Sequence, residues 1–165
     1  MKILRRNLTI LRAKMFKKVV IGGTFDVIHE GHKKILEAGF QISDAVIIGL
    51  TSDEFANRFR AVETSAYEER KKKLEELLRG FGKSYEIIKI DDSYGIATID
   101  PGIDCIVVSE ETLLRAQEIN AVRFKKSMGK LSIMVIPLVL AKDGKPISGE
   151  RISGKEIDSE GKLLK

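Results

Sequence analysis

The chain has 165 residues, 43% apolar and 32% charged, a balance that suits one soluble domain with a sizeable core and excludes fibrous or disordered classes. Its single cysteine excludes a disulfide framework and fits a reducing interior, and no apolar run is long enough to span a bilayer, so the cytoplasm is the expected location. The formal charge of +5 does not describe the domain, because seven Lys and Arg residues crowd the first 18 positions without an acid and leave about −2 for the rest.

Segment 1–14 reads as a basic N-terminal extension, with an upstream start codon as the plain explanation, and 15–165 as the domain. Ile10-Leu11 is too short for the apolar middle of a secretory signal. Phe16 to Ile21 predicts a first strand, followed by a helix with Ile35, Leu36, Gly39 and Phe40 on one side. Ala45 to Leu50 is a continuous, largely β-branched run expected to be buried on both faces, and Thr51-Ser52-Asp53 caps a short helical piece. Thr64 to Leu78 predicts an amphipathic helix stopped by Gly80 and Gly82. Strands follow at Tyr85 to Ile90 and Cys105 to Val108. Ser109 caps a helix that runs to about Met128-Gly129. Ser132 to Leu140 predicts a fifth strand whose Pro137 marks an edge position or a strand end, and Ile147 opens a last helical turn. This alternation predicts an α/β fold with a doubly wound, five-stranded parallel sheet, whose ligands bind beyond the strands' carboxyl ends at the switch point.

Both histidines of the chain lie in one stretch, Gly22-Gly23-Thr24-Phe25-Asp26-Val27-Ile28-His29-Glu30-Gly31-His32, at the junction of first strand and first helix. Glycines there allow a sharp turn and close ligand approach, and a helix start offers unpaired N–H groups to anions. The three-residue step puts His29 and His32 on nearly one side of the first helical turn. Two imidazoles, a threonine hydroxyl and a helix N-terminus suit a polyphosphate. A zinc site needs a four-residue H-E-x-x-H step or a cysteine cluster, and neither is present. Dinucleotide binding is disfavoured by the lack of G-x-G-x-x-G after the first strand. A nucleic-acid reader needs a basic stripe with aromatics on the domain itself. None is seen, so neither nucleic acid nor membrane is an expected partner. With three Asn and two Gln beside abundant Lys and Glu, the composition leans as hyperthermophile proteins do, with compositional drift as the alternative.

Gly23-Thr24-Phe25-Asp26 with His29-Glu30-Gly31-His32 resembles the G-T-F-D-x-x-H-x-G-H signature of the nucleotidyltransferase superfamily, which implies a Rossmann-like nucleotidyltransferase fold. Further segments are similar to the archaeal-type phosphopantetheine adenylyltransferases. These are Ile48 to Asp53, Asp92 to Ala97, Ile106 to Thr112, Asn120 with Arg123, and Pro146 to Ile152 with Glu156 to Asp158. The resemblance spans roughly residues 16 to 160 and implies adenylyl transfer from ATP to 4′-phosphopantetheine by direct in-line attack on the α-phosphorus. It assigns catalysis to His32, His29 and Thr24. It assigns ATP binding to the Gly22-Gly23 backbone, Thr24, Phe25 beside the nucleotide, His29, His32, Ser148 and Arg151. Thr24 and Tyr94 are the residues it suggests for the pantetheine substrate. Magnesium is expected on the phosphates of ATP rather than on protein side chains, and Asp26 as a structural brace of the turn.

The closing segment departs from the Ile-Ser-Ser/Thr-x-Arg-like pattern of related enzymes: in Ile147-Ser148-Gly149-Glu150-Arg151 an acid faces a polyanion site. Arg58 or Arg60 stands near the place of a bacterial lysine, with a solvated helix face as the equal alternative. Lys125-Lys126-Ser127-Met128 reads as surface charge. Other enzymes of the same motif class, such as an FMN adenylyltransferase or a glycerol-3-phosphate cytidylyltransferase, stay open, as does a catalytically silent nucleotide-binding module. Nothing in the pattern specifies an oligomeric state.

Overall fold

A computed structural model describes residues 16–164, so the basic segment 1–14 and Met15 lie outside the described residues. Five parallel strands, β1 (Val19–Gly23), β2 (Ala45–Thr51), β3 (Ser84–Ile90), β4 (Cys105–Ser109) and β5 (Ser132–Ile136), stand in the order β3-β2-β1-β4-β5. The helices α1 (Glu30–Ile42), α2 (Asp53–Asn57), α3 (Tyr67–Arg79), α4 (Leu113–Lys125) and α5 (Gly149–Ser153) alternate with them, as the periodicity predicts.

Alternation along the strands assigns the two faces. Val19, Ile21, Val46, Ile48, Cys105 and Val107 point to one side, where Leu36 and Phe40 of α1 and Leu74 and Leu78 of α3 close the larger core. Val20, Ile47, Ile106 and Val108 point to the other, against Ala116 and Ile119 of α4 and Ala97 of the 3₁₀ turn Gly95–Thr98. Burial on both faces explains the unbroken apolar runs of β2 and β4.

The register locates the crevice. β1 stays paired with β2 as far as Gly23 and Leu50, but its register with β4 holds only at Val19–Cys105 and Val20–Ile106. Strands β1 and β4 therefore part towards their carboxyl ends, at the point where strand order reverses.

Several boundaries differ from expectation for local reasons. Phe16 forms only an isolated bridge with Ser43, and β1 begins at Val19. The third helix starts at Tyr67 rather than Thr64, whose segment is drawn into contacts with Asn57 and Asp26. β5 ends at Ile136, since Pro137 has no N–H for the ladder, and it is an edge strand. Beyond it, residues 139–164 build a small satellite core of Ala141, Ile147 and Ile157. The Ser159 carbonyl accepts from Glu30 N–H at 3.2 Å and lashes this segment to the start of α1.

Two arginines are fully buried: Arg70 and Arg123, at 0% and 1% exposure. Arg123 donates to the carbonyls of Gly129, Ala97, Asp100 and Ile103, which ends the connection from β3 to β4 and the turn after α4 on one guanidinium. Asn120 clamps Leu131 through both its N–H and its carbonyl. Arg123→Met should leave those carbonyls unpartnered and lower stability by about 3 kcal/mol or more, read as a drop in denaturant midpoint.

Candidate active site

Gly22 and Gly49 lie side by side in the β1–β2 register. Both belong to the α4 face of the sheet, and a Cβ at Gly22 would meet nothing within 4 Å. Two absent side chains make a hollow in the sheet surface, which forms the floor of a cleft of about 520 Å³. Thr51, Tyr94, Ser109, Thr112 and Arg115 rise around it. Tyr94 is 36% exposed and carries the Arg115 guanidinium over its ring at 5.3 Å, so the residue expected near the pantetheine arm does border this space.

The turn after β1 is built differently from expectation. Gly22 and Gly23 complete the strand, and the backbone reverses at Phe25, whose φ is +48°. Gly23 is needed for another reason: a Cβ there would sit 2.6 Å from the Phe25 ring. Phe25, expected beside the nucleotide, is 2% exposed and packs into the core, with its ring centroid 5.0 Å from that of His32. It supports the histidine from below. Asp26 accepts from Ser65 N–H at 2.8 Å, which makes it the expected brace.

His29 is the N-cap of α1 rather than a member of its first turn. Its Nδ1 accepts from Gly31 N–H at 3.1 Å, which leaves the proton of the neutral ring on Nε2 as a donor. A Cβ on Gly31 would stand 2.9 Å from His29 Cε1, so the glycine between the histidines exists to let that ring fold back. With Glu30 N–H on Ser159 and Gly31 N–H on His29, the helix start is not the open anion cradle that the sequence suggests. The two imidazoles face each other with centroids 4.0 Å apart. Burial lowers the His32 pKa to about 3, His29 adds to the shift, and the Val27 carbonyl opposes it at a geometry too poor for a full hydrogen bond. Burial lowers the His29 pKa too, against the pull of Glu30. Both rings are therefore neutral at neutral pH. They are not among the residues that line the cleft.

Thr24 connects the two parts. Its hydroxyl accepts from Thr51 Oγ1 at 3.1 Å, and Thr51 lines the cleft. Behind both lies Arg70, which donates to the Thr24 and Thr51 carbonyls at 2.9 Å each, to the Ser65 carbonyl at 2.8 Å and to Asp53 at 2.9 Å. Sequence reading missed Arg70: within Tyr67-Glu68-Glu69-Arg70-Lys71 nothing separates it from solvated neighbours.

The closing segment reaches the turn from the other side. Gly149 packs on Val27, at 3.6 Å from its would-be Cβ, and Ser148 caps α5 by accepting from Arg151 N–H at 3.3 Å. Arg151, expected on the phosphates, is instead spent locally. It pairs with Asp143 at 2.5 Å and Glu156 at 3.1 Å and donates to the Pro146 carbonyl at 3.0 Å. The ion pairs raise its pKa, Glu156 first, and fasten α5 to the satellite core. Glu150 is exposed. Arg58 pairs with Glu54 at 3.9 Å and Arg60 is exposed, so neither is brought to the rim. Lys125 to Met128 close α4, at the sheet edge opposite the site.

Among the described residues no group of three or more His, Cys, Asp or Glu side chains is placed to hold a metal ion, and no helix is long and apolar enough to cross a membrane.

Comparison with known proteins bears on this geometry. Residues 20–155 match the family model described as cytidylyltransferase-like. The chain is 41% identical over 153 residues to a phosphopantetheine adenylyltransferase of Methanothermobacter thermautotrophicus, covering 92% of each. It is 42% identical to one of Pyrococcus horikoshii, over 92% of this chain and 98% of that one. A solved structure from Archaeoglobus fulgidus, of a protein described as of unknown function, superimposes with a TM-score of 0.61 at 34% identity, over 72% of this chain and 88% of its own.

Gly31→Ala should push the His29 ring off the helix start and abolish its Nδ1 cap, seen as a shifted imidazole nitrogen resonance and a lower melting temperature. In the unfolded chain His32 takes up a proton near its ordinary value of 6.5, but in the folded chain only near 3. The stability from this ring is thus present above about pH 6.5 and lost as pH falls towards 3. His32→Gln should flatten the acid limb of stability against pH by up to about 1.4 kcal/mol per pH unit, measured by denaturant titration.

Proposed function

This chain belongs to the cytidylyltransferase-like family, among the phosphopantetheine adenylyltransferases, and on that premise we propose that it transfers the adenylyl group of ATP to 4′-phosphopantetheine, giving dephospho-coenzyme A and pyrophosphate. The observation that carries the reading is the facing His29–His32 pair beside the Gly22–Gly49 hollow, in a chain that matches relatives of that name over nearly its whole length.

An oxygen of the acceptor phosphate attacks the α-phosphorus in line. The new P–O bond forms a phosphoanhydride as the bond to the β-phosphate oxygen breaks and pyrophosphate leaves. Because the attacking oxygen is already anionic near neutral pH, no strong base is required. Rate comes from positioning and from donors placed where charge builds. Thr24 supplies a hydroxyl donor to a phosphoryl oxygen, and His29, pinned by Gly31, presents Nε2–H. His32 is held neutral by burial, and a polyanion beside it works against that burial. A doubly protonated ring would satisfy the Val27 carbonyl and a phosphoryl oxygen together. The cleft between Tyr94 and Thr112 suits the extended, partly apolar arm of the acceptor. Ser148 retains its own hydroxyl proton while it caps α5, so it remains available to the phosphates. Arg151 acts on this reading as a brace of α5. Magnesium would come with ATP and neutralise its phosphates, held mainly by phosphate oxygens and water.

Pyrophosphate release measured in parallel with 4′-phosphopantetheine, FMN and glycerol 3-phosphate tests the proposal. Preference for either of the last two overturns it, as does ATP binding without pyrophosphate from any acceptor. His32→Ala should lower turnover by ~10²-fold or more with the fold intact, as loss of a charge-stabilising donor does.

A further inference from the structure

We infer that Arg70 and Thr51 form a hydrogen-bond relay that makes the Thr24 hydroxyl an obligatory donor towards an anionic phosphoryl oxygen at the junction of cleft and imidazole pair. The inference rests on the adenylyl-transfer reading only for the source of that anion.

Arg70 fixes the direction of each proton in the relay. A guanidinium donates and never accepts. Arg70 is entirely enclosed, at 0% exposure, and its Nη1 reaches the Thr24 carbonyl at 2.9 Å and Thr51 Oγ1 at 3.3 Å. Thr51 Oγ1 thus accepts from the arginine and must send its own proton elsewhere. It sends it to Thr24 Oγ1, at 3.1 Å. Thr24 Oγ1 in turn is already an acceptor, so its proton points away from Thr51. Among the described residues no acceptor within hydrogen-bond reach receives it. Three donors in series, each oriented by the one behind, leave one outward O–H at the rim. The terminal hydroxyl is also polarised, since accepting a hydrogen bond makes a group a better donor.

The parts that hold the relay are rigid. Thr51 is 7% exposed at the end of β2, and Thr24 follows the last residue of β1. Arg70 comes from the first turn of α3 and is fixed by the Ser65 carbonyl and Asp53 as well. The same guanidinium therefore sets the distance between the ends of two strands and the direction of the proton between their threonines. Thr51 is a positioning residue that acts through Thr24.

A double-mutant cycle decides it, with wild type, Thr51→Val, Thr24→Val and the double variant assayed for kcat, for KM of each substrate and for melting temperature. Thr51→Val keeps the side-chain shape. It should lower kcat by ~3–10-fold while Thr24 is present and change nothing once Thr24 is valine. Thr51→Ser should restore the wild-type rate. Unchanged kcat in Thr51→Val, or effects that multiply in the double variant, overturns the relay. Should the valine variant melt early, Thr51→Ala is read in the same cycle. Absence of pyrophosphate release from wild type with phosphopantetheine condemns the adenylyl-transfer reading instead. The same cycle is then read as ATP affinity by calorimetry, where non-additive weakening supports the relay and additive weakening overturns it.

Discussion

One buried guanidinium holds the carboxyl ends of β1 and β2 together. Arg70 touches the carbonyls of Thr24 and Thr51, the Thr51 hydroxyl, the Ser65 carbonyl and Asp53, and no part of it meets solvent. A strand end buried without partners is costly, and water cannot serve carbonyls enclosed beneath a helix. By answering them from α3, the arginine lets β1 stop, turn at Phe25 with φ positive, and deliver Thr24 and the histidines to one edge. Such an ion is retained only where every donor has a use, as here.

On that frame the candidate site divides by chemistry. Below, paired glycines on one sheet face and the parting of β1 from β4 leave a cleft with an apolar floor and with Thr51, Tyr94, Ser109, Thr112 and Arg115 around it. Above, the neutral imidazoles, Thr24 and the capped α5 supply polar donors of small size. The junction of these halves is the Thr24–Thr51 contact, a single hydrogen bond between the ends of adjacent strands.

The histidine turn shows how a motif can be found for partly wrong reasons. Its glycines suggested freedom of φ, yet Gly23 and Gly31 are required by rings that press on them, Phe25 in one case and His29 in the other. The helix start suggested free N–H groups, yet the motif's own first histidine and the distant Ser159 take two of them. Arg151 likewise reads as a phosphate donor from its place in the segment, but Asp143 and Glu156 claim it. These differences come from the distant Ser159, from ring orientations that no spacing encodes and, at Arg151, from two carboxylates 8 positions before and 5 positions after it.

Strand and helix periods, the doubly wound order, the carboxyl-edge location of Thr24, His29 and His32, and the Pro137 strand end were all readable from the chain, because each follows from local patterns of burial and backbone chemistry. Which charged residues turn inward was not. Arg70 and Arg123 differ in no local respect from the exposed Lys and Arg residues around them, and only the fold decides that four or more acceptors converge on each. The hollow over Gly22 and Gly49 is of the same kind, since two glycines 27 positions apart become one surface only when their strands pair in register.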